Sequence, residues 1–280
     1  MPDSLRVRVH PLIHGALAGL LTLLLQGCTG MQGASSPDRL FRGVATLNKL
    51  TPAVRMSPLV TYCKPPAAGS IDYASRQFPG KAGDDRQLMR IVERAQGIAG
   101  VAVTGHGYRA LPGMDGRPGN SGRLISCGGL ITLAFSESGA SDGSGRGCAD
   151  STTRRFAMTQ VSEYSGSLFP PRVGNELSFT YDALYRAGPA QSGCPQERLR
   201  TKAVFTVLGA NDAFMIGGRR IPGRVYLVEG ALTDIDSGET RSRDYYYSDA
   251  LGWVVMVVEY DNGMPGRIME MVDYLVTDGQ

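Results

Sequence analysis

Alternation of apolar and polar side chains in the C-terminal half is the feature that most constrains the fold. Leu177, Phe179 and Tyr181 occupy every second position, which is the period of a β-strand with one buried face. Further strands are predicted over residues 202–208, 213–216, 224–228 and 243–247. The turn sequence Asp261-Asn262-Gly263 separates two β-rich runs, 253–260 and 268–277, and predicts a hairpin. This pattern favours an antiparallel sheet.

The strand predicted over residues 253–260 is apolar on both faces. Strands of this kind are typical of positions that are covered on both sides. One face carries Trp253, Val255 and Val257. We predict that these three residues, with Tyr246 of the preceding strand, can face an apolar ligand. The alternative is that they only fill a core.

Residues 39–164 are predicted to be β-rich with one helix. Strands are expected over residues 123–137 and 155–164. Between them and the N-terminus, apolar residues recur at the spacing of one helical face: Leu88, Ile91, Val92, Ala95 and Ile98. Asp84 or Asp85 can cap this segment, and Gly97 and Gly100 mark its end. We therefore predict one amphipathic helix near residues 84–99.

The fold class predicted from these patterns is mainly β, a β-rich α+β protein. Its sheet is expected to be a curved antiparallel sheet, a half-barrel or a sandwich. Glycine accounts for 37 of 280 residues, which suits many turns and short strands better than a helix bundle. The predicted division is a leader over 1–27, a flexible tether over 28–38, an N-terminal region over 39–164 and a C-terminal antiparallel β domain over 165–280.

Three phrases of the C-terminal half resemble a known but uncharacterised group of proteins. They are Leu168–Asn175 with the following Phe179 and Tyr181, then Arg220–Tyr226, then Tyr246–Val255. Their order and spacing are similar to those of secreted and lipid-anchored bacterial β domains. The resemblance covers about residues 165–277. It implies a curved antiparallel sheet, as in half-barrel envelope proteins, and implies no agreed activity.

The N-terminus carries an export signal. Arg6 and Arg8 precede an apolar run over residues 12–25. A 14-residue run would span only about 21 Å as a helix, short of the roughly 30 Å of a bilayer core. A basic segment followed by such a run is typical of a cleaved secretory leader. One possibility is an ordinary cleaved leader that is followed by a cysteine, Cys28, by chance. The other is a lipid anchor on that cysteine.

Leu25-Gln26-Gly27-Cys28 resembles the lipobox of bacterial lipoproteins. The resemblance implies acylation of Cys28 and cleavage before it. Because each buried methylene contributes about 0.8 kcal/mol, several acyl chains on one cysteine anchor a protein stably. Thr29 follows the cysteine, where an aspartate would imply inner-membrane retention in lipoproteins of proteobacterial type. We therefore expect a palmitate-type anchor in the outer membrane, facing the periplasm or the cell surface.

Four cysteines remain once Cys28 is acylated, which is the number needed for two disulfides in an oxidising compartment. Three pairings are possible. We favour Cys127–Cys148, because the two flank a Gly/Ser-rich loop between predicted strands, and Cys63–Cys194 then follows by elimination. The alternative is a metal site. No C-x-x-C pair is present and zinc ligands usually come in close pairs, so no metal and no cofactor are predicted.

The sequence matches known catalytic motifs only weakly. Gly119-Asn120-Ser121-Gly122 is similar to a serine-protease nucleophile loop and His106 lies nearby, but both fall in one loop, unlike a catalytic triad. Five carboxylates on predicted strands could serve a glycosidase, yet their positions indicate solvated faces: Glu239, Asp244, Glu259, Glu270 and Asp273. No catalytic residue is assigned.

The sequence therefore predicts a lipid-anchored envelope protein with a non-catalytic binding or scaffold role. The expected partners are the membrane, through the anchor, and an apolar ligand or another envelope protein. Nucleic acid is not expected, because the formal charge is only +3 at pH 7. The alternative is a periplasmic hydrolase of unfamiliar type that uses His106 or a strand carboxylate.

Overall fold

The structure is a computed structural model. It describes residues 50–64, 66–77, 84–95, 98–108, 118–138, 148, 153–188, 194–261 and 263–276. The predicted leader, Cys28 and the tether lie outside these residues. Within the described part, no helix is long and apolar enough to cross a membrane.

Two short helices and fourteen strands make up the described part of the chain. The helices are α1 (Pro52–Arg55) and α2 (Pro58–Thr61). The strands are β1 (Ala68–Gln77), β2 (Asp84–Ala95), β3 (Ile98–Tyr108), β4 (Pro118–Cys127), β5 (Ile131–Ser138), β6 (Arg154–Gly166), β7 (Glu176–Ala187), β8 (Gln196–Asn211), β9 (Met215–Ile216), β10 (Arg219–Arg220), β11 (Val225–Asp234), β12 (Thr240–Ser248), β13 (Trp253–Asp261) and β14 (Met264–Val276). The mainly β prediction is confirmed.

Twelve of these strands form one closed antiparallel barrel, and β9 and β10 form a separate two-stranded sheet. The barrel closes where β1 pairs with β14, for example Tyr73 with Met271. The predicted open sheet, half-barrel or sandwich is therefore corrected to a closed barrel. Closure removes the two free edges that an open sheet would expose. The predicted boundary at 164/165 falls inside β6, and strands from both sides of it lie in the same sheet.

The helix predicted near residues 84–99 is wrong, because this segment forms β2 and the start of β3. Gln87 and Met89 are buried, whereas Val92 is about half exposed. A bulge between Ile91 and Glu93 interrupts the strand alternation, which leaves an apolar spacing that imitates a helical face. Pairing with β1 on one side and β3 on the other decides the structure, since strand formation depends on such neighbours.

The predicted hairpin after residue 253 is confirmed as β13 and β14, whose ends pair at Asp261 and Met264. The helices begin at prolines, which suit the first helical turn. Thr51 caps α1, and its hydroxyl also donates to the carbonyl of Thr159 on β6 at 2.8 Å. The helices thus lie at the barrel end where β1 begins, which we call the helix end.

The helix end is closed by a packed apolar core. Trp253, Leu251 and Tyr247 are each 1 % exposed. The turn between β4 and β5 lies against them. At Gly129, with φ +77°, a Cβ atom would come within 3.0 Å of the Trp253 indole, so glycine is needed both for the backbone conformation and for the close approach.

Two disulfides form, as predicted, but the predicted pairing is wrong. The bridges are Cys63–Cys127 and Cys148–Cys194. Cys127 ends β4 at the helix end, whereas Cys148 follows β5 toward the opposite end, which we call the far end. Each cysteine therefore bonds to a partner at its own barrel end, Cys127 to Cys63 after α2 and Cys148 to Cys194 before β8.

Gly166→Ala should destabilise the barrel strongly. Gly166 has φ +76°, and a Cβ atom there would lie 2.0 Å from the carbonyl oxygen of Glu176. Gly174 has a similar φ, +89°, but nothing within 4 Å of its Cβ position. Urea denaturation should show a loss of about 1 kcal/mol for Gly174→Ala, from the left-handed backbone alone, and about 2 kcal/mol more for Gly166→Ala. Equal losses would contradict the β6–β7 geometry.

Candidate ligand-binding cavity

A cavity of about 80 Å³ lies inside the barrel, along the strands from β5 to β12. Its wall is mostly aromatic and aliphatic, with a few polar groups. The lining residues are Leu130, Ile131, Thr132, Phe135, Phe156, Met158, Phe179, Tyr181, Leu199, Thr201, Phe205, Leu232, Asp234, Glu239, Arg241 and Tyr245. An apolar wall with few convergent polar groups is the usual character of a small-molecule site.

Six aromatic rings form a continuous chain along this wall. Phe135 stacks on Phe156 at 5.5 Å between ring centroids, and Phe156 meets Tyr181 edge-on at 6.2 Å. The chain continues from Tyr181 to Phe179 and then to Phe205, stacked at 6.3 Å. It ends on Tyr245, 6.1 Å from Phe205. These contacts fix the ring positions, so the wall is held by its own packing.

Gly230 makes the last of these contacts possible. It lies on β11 between Phe205 of β8 and Arg243 of β12. A Cβ atom at this position would lie 2.8 Å from the Tyr245 ring and 2.9 Å from the Phe205 ring. A side chain here would therefore displace two rings of the cavity wall.

Charged residues line the cavity where β11 and β12 meet at the far end. Asp234 holds the β11–β12 turn, because its Oδ1 accepts from the backbone N–H and the hydroxyl of Ser237 at 2.7 and 2.9 Å. Arg241 donates through Nε and Nη2 to Oε1 of Glu239 at 3.0 and 2.8 Å. Both carboxylates are thus bound by groups of the protein.

A layer of polar side chains crosses the interior near the same end; we call it the polar layer. It consists of Ser75, Gln87, Glu137, Arg154, Arg243, Glu259 and Arg267. Arg243 forms an ion pair with Glu259 at 2.9 Å. Arg267 donates through Nε to the hydroxyl of Ser75 at 2.7 Å. Strand register places these residues on the inward face: Arg243 is paired with Glu259, and Glu259 with Arg267.

Some buried polar atoms of this layer have no hydrogen-bond partner. Gln87 is 1 % exposed, and neither its amide nitrogen nor its amide oxygen is bonded. Nη1 of Arg243 is likewise buried without a partner. Because an unsatisfied buried group costs about 1–3 kcal/mol, and a charged one more, these atoms mark places where a ligand or a water molecule would be stabilised.

Burial also changes acid–base behaviour in the interior. It raises the pKa of Glu137 to about 8, although the nearby Arg154 and Arg267 oppose the shift. It raises the pKa of Tyr181 to about 12, opposed by a hydrogen bond with Thr201. The pKa of Tyr245 is raised by burial too, and is lowered in turn by the charge and hydrogen bond of Arg243. Arg243 therefore contacts a ring of the cavity wall.

The residues predicted to face a ligand lie elsewhere. Trp253, Val255 and Val257 are buried, and Trp253 belongs to the core of the helix end. Tyr246 is half-buried and stacks on Phe214 at 5.1 Å. None of the four lines the cavity. The aromatic wall of β5–β8 lies on strands that the alternation indicated, but alternation does not show which strands meet across the interior of a barrel.

The candidate catalytic residues are dispersed. His106 lies in β3, and its side chain is outside the described residues. Asp244 accepts from the hydroxyl of Tyr260, and Asp273 accepts from Arg219. Glu259 is the exception to the expected solvated faces, with a side chain only 19 % exposed, whereas Glu239 lines the cavity with a side chain 49 % exposed. Glu259 shares the inward face with Val257, a signal that the alternation already contained.

Among the described residues, no cluster of His, Cys, Asp and Glu could hold a metal ion. Cys63, Cys127, Cys148 and Cys194 are all in disulfides. The Cys28 prediction lies outside the described residues and stays a prediction.

Comparison with known proteins gives remote structural similarities only. No protein-family model matches the chain, and no curated protein matches it. The crystal structure of the hypothetical lipoprotein YmcC from Escherichia coli K12 has 12 % sequence identity and a TM-score of 0.38, covering 74 % of this chain and 88 % of that one. A protein described as exported, with a YmcC-like fold, from Bacteroides fragilis NCTC 9343 has 11 % identity and a TM-score of 0.40, covering 77 % and 99 %. At these scores the similarities carry no functional argument.

Glu137→Gln should change how stability depends on pH. The carboxyl has a pKa of about 8 in the folded protein and about 4.3 in an unfolded chain. Between these values the folded protein keeps a proton that the unfolded chain has released, so stability falls as pH rises. The unfolding free energy of the variant, relative to the parent, should rise by more than about 1 kcal/mol between pH 5 and pH 8.5.

The matched control is Glu229→Gln, since Glu229 is exposed on β11. Its unfolding free energy relative to the parent is the baseline for the same pH range. If the pH profile of Glu137→Gln were the same as that of this control, Glu137 would not be a buried carboxyl that keeps its proton.

Proposed function

We propose that this protein is a lipid-anchored envelope protein that binds a small apolar ligand inside its barrel. The observation that carries the proposal is the aromatic cavity. Six rings and several aliphatic side chains surround about 80 Å³ of space, and the rings hold one another in place. A preformed apolar cavity of this kind favours an apolar group over water.

A binding role is favoured over catalysis by how the polar groups of the wall are used. Asp234 supports a turn, and Glu239 is bound by Arg241. A general base must be free to reach a proton on the substrate. Both carboxylates that line the cavity are instead engaged by the protein itself.

The anchor is supported by the sequence alone. Leu25-Gln26-Gly27-Cys28 ends a short apolar run, and acylation of Cys28 would hold the barrel at a membrane surface through the segment over 28–38. We propose the outer membrane as the location. A barrel tethered in this way would present its cavity to apolar molecules of the envelope.

Replacement of Cys28 by Ala should abolish acylation. Metabolic labelling with palmitate should mark the parent protein, and the variant should carry no label. A Cys63→Ser/Cys127→Ser variant is the control, because it removes cysteines of the barrel and should keep the label. Undiminished label in the Cys28 variant would contradict the anchor.

Filling the cavity should abolish ligand binding. Leu199 of β8 lines the cavity, and Leu208 of the same strand is 49 % exposed. Calorimetric titration with 1-octanol should give binding to the parent and to Leu208→Trp, and a loss of at least tenfold for Leu199→Trp, because the indole occupies the space of the ligand. Equal binding by the two tryptophan variants, both folded by circular dichroism, would contradict the cavity as the site.

A further inference from the structure

The inward face of β12 joins the apolar cavity to the polar layer. Arg241, Arg243 and Tyr245 are successive inward residues of this strand, since side chains alternate between its two faces. Arg241 and Tyr245 both line the cavity. Arg243 lies between them and contacts the hydroxyl of Tyr245, so its guanidinium group lies beside the cavity wall.

Arg243 has hydrogen-bonding capacity left over. Its side chain is 8 % exposed and is ion-paired with Glu259 at 2.9 Å through Nη2. Nη1 is buried and has no partner. A buried, charged donor is stabilised most by an acceptor that is itself charged. Across the strand pair, Gly230 faces Arg243 without a side chain.

The two carboxylates that line the cavity are engaged by groups of the protein, whereas in the polar layer Oε2 of Glu137 is buried without a hydrogen bond and Oε1 of Glu259 has only its ion pair with Arg243. Asp234 is bound by Ser237, Glu239 by Arg241, and Glu259 by Arg243. One further carboxylate, Glu197, lies two residues before Leu199 on β8, which begins at Gln196. The polar layer itself brings three guanidinium groups, those of Arg154, Arg243 and Arg267, against two carboxyl groups, and burial favours the neutral form of one of these, Glu137.

We propose that the ligand is a single-chain organic acid, with its apolar part in the aromatic cavity and its anionic head bound by Nη1 of Arg243. This rests on the proposed function, whose cavity supplies the apolar part. The volume of about 80 Å³ suits one short chain or ring rather than a two-chain lipid. The buried amide of Gln87 on β2 is also without a partner. The shared chemistry of the head is a terminal anion, either carboxylate or phosphate.

The test compares four probes that differ only in the head group: octanoate, octyl phosphate, 1-octanol and octyltrimethylammonium. Each is titrated calorimetrically into the full chain carrying Cys28→Ala, which lacks the acylated residue. At least one of the two anions should bind at least tenfold more tightly than octanol, and the cation more weakly than octanol. The tighter of the two anions assigns the head group.

A double variant tests whether the head group binds at Arg243. Arg243→Gln/Glu259→Gln removes the buried pair together, so that no lone charge is left inside. It should lose the preference for the anion over octanol. The matched control is Arg200→Gln/Asp182→Asn, which removes an ion pair on the exposed face at 3.9 Å and should keep the preference. If the interior variant does not fold, amide NMR shifts of Gly230 and Arg243 in the parent serve instead, and should respond to the anion more than to octanol.

The outcomes distinguish a wrong head group from a cavity that binds no ligand. If octanol binds as tightly as the best anion, or the cation binds most tightly, the anionic head is overturned while the cavity stands. If the anion preference survives in the interior variant, or the NMR shifts lie elsewhere, Arg243 is not the anchor. If no probe binds, both are overturned and the interior holds water only.

Discussion

The pairing of β1 with β14 is the contact on which the rest of the structure depends. It joins residues about 200 positions apart, such as Tyr73 and Met271, and turns a twelve-stranded sheet into a barrel with an interior. Without it, Gln87 and Ser75 would lie near a free sheet edge, in contact with water. Closure places them opposite strands from the other side of the sheet, which is why these two polar side chains are buried.

The interior that closure creates changes in polarity from one end of the barrel to the other. The helix end is filled by Trp253, Leu251 and neighbouring side chains, and the bridge Cys63–Cys127 fastens the segment after α2 to β4. The far end carries charged residues, and the aromatic cavity lies between the two. Such a gradient suits an amphipathic molecule, because its apolar part can contact apolar side chains and its polar head can contact polar ones.

The sequence predicted the strands well where side chains alternate without interruption, as in Leu177–Tyr181, and it predicted the hairpin of β13 and β14 from its turn residues. It failed at residues 84–99, because a bulge shifted the apolar positions into a helical spacing. The disulfide pairing could not be predicted from the sequence, because it depends on the barrel end at which each cysteine lies. Gln87 and Arg243 were missed for the same reason: a polar residue at an inward position looks solvent-exposed until the barrel is closed.

Closure of the barrel can be measured in solution by NMR. NMR should show inter-strand backbone contacts between Tyr73 and Met271, with amide protection in β1 and β14 similar to that in β7 and β8, which pair over eleven residues. That result would establish the interior on which the cavity and the polar layer depend. Contacts between β7 and β8 but none between β1 and β14 would show an open sheet, which would lack the interior that the cavity and the polar layer require.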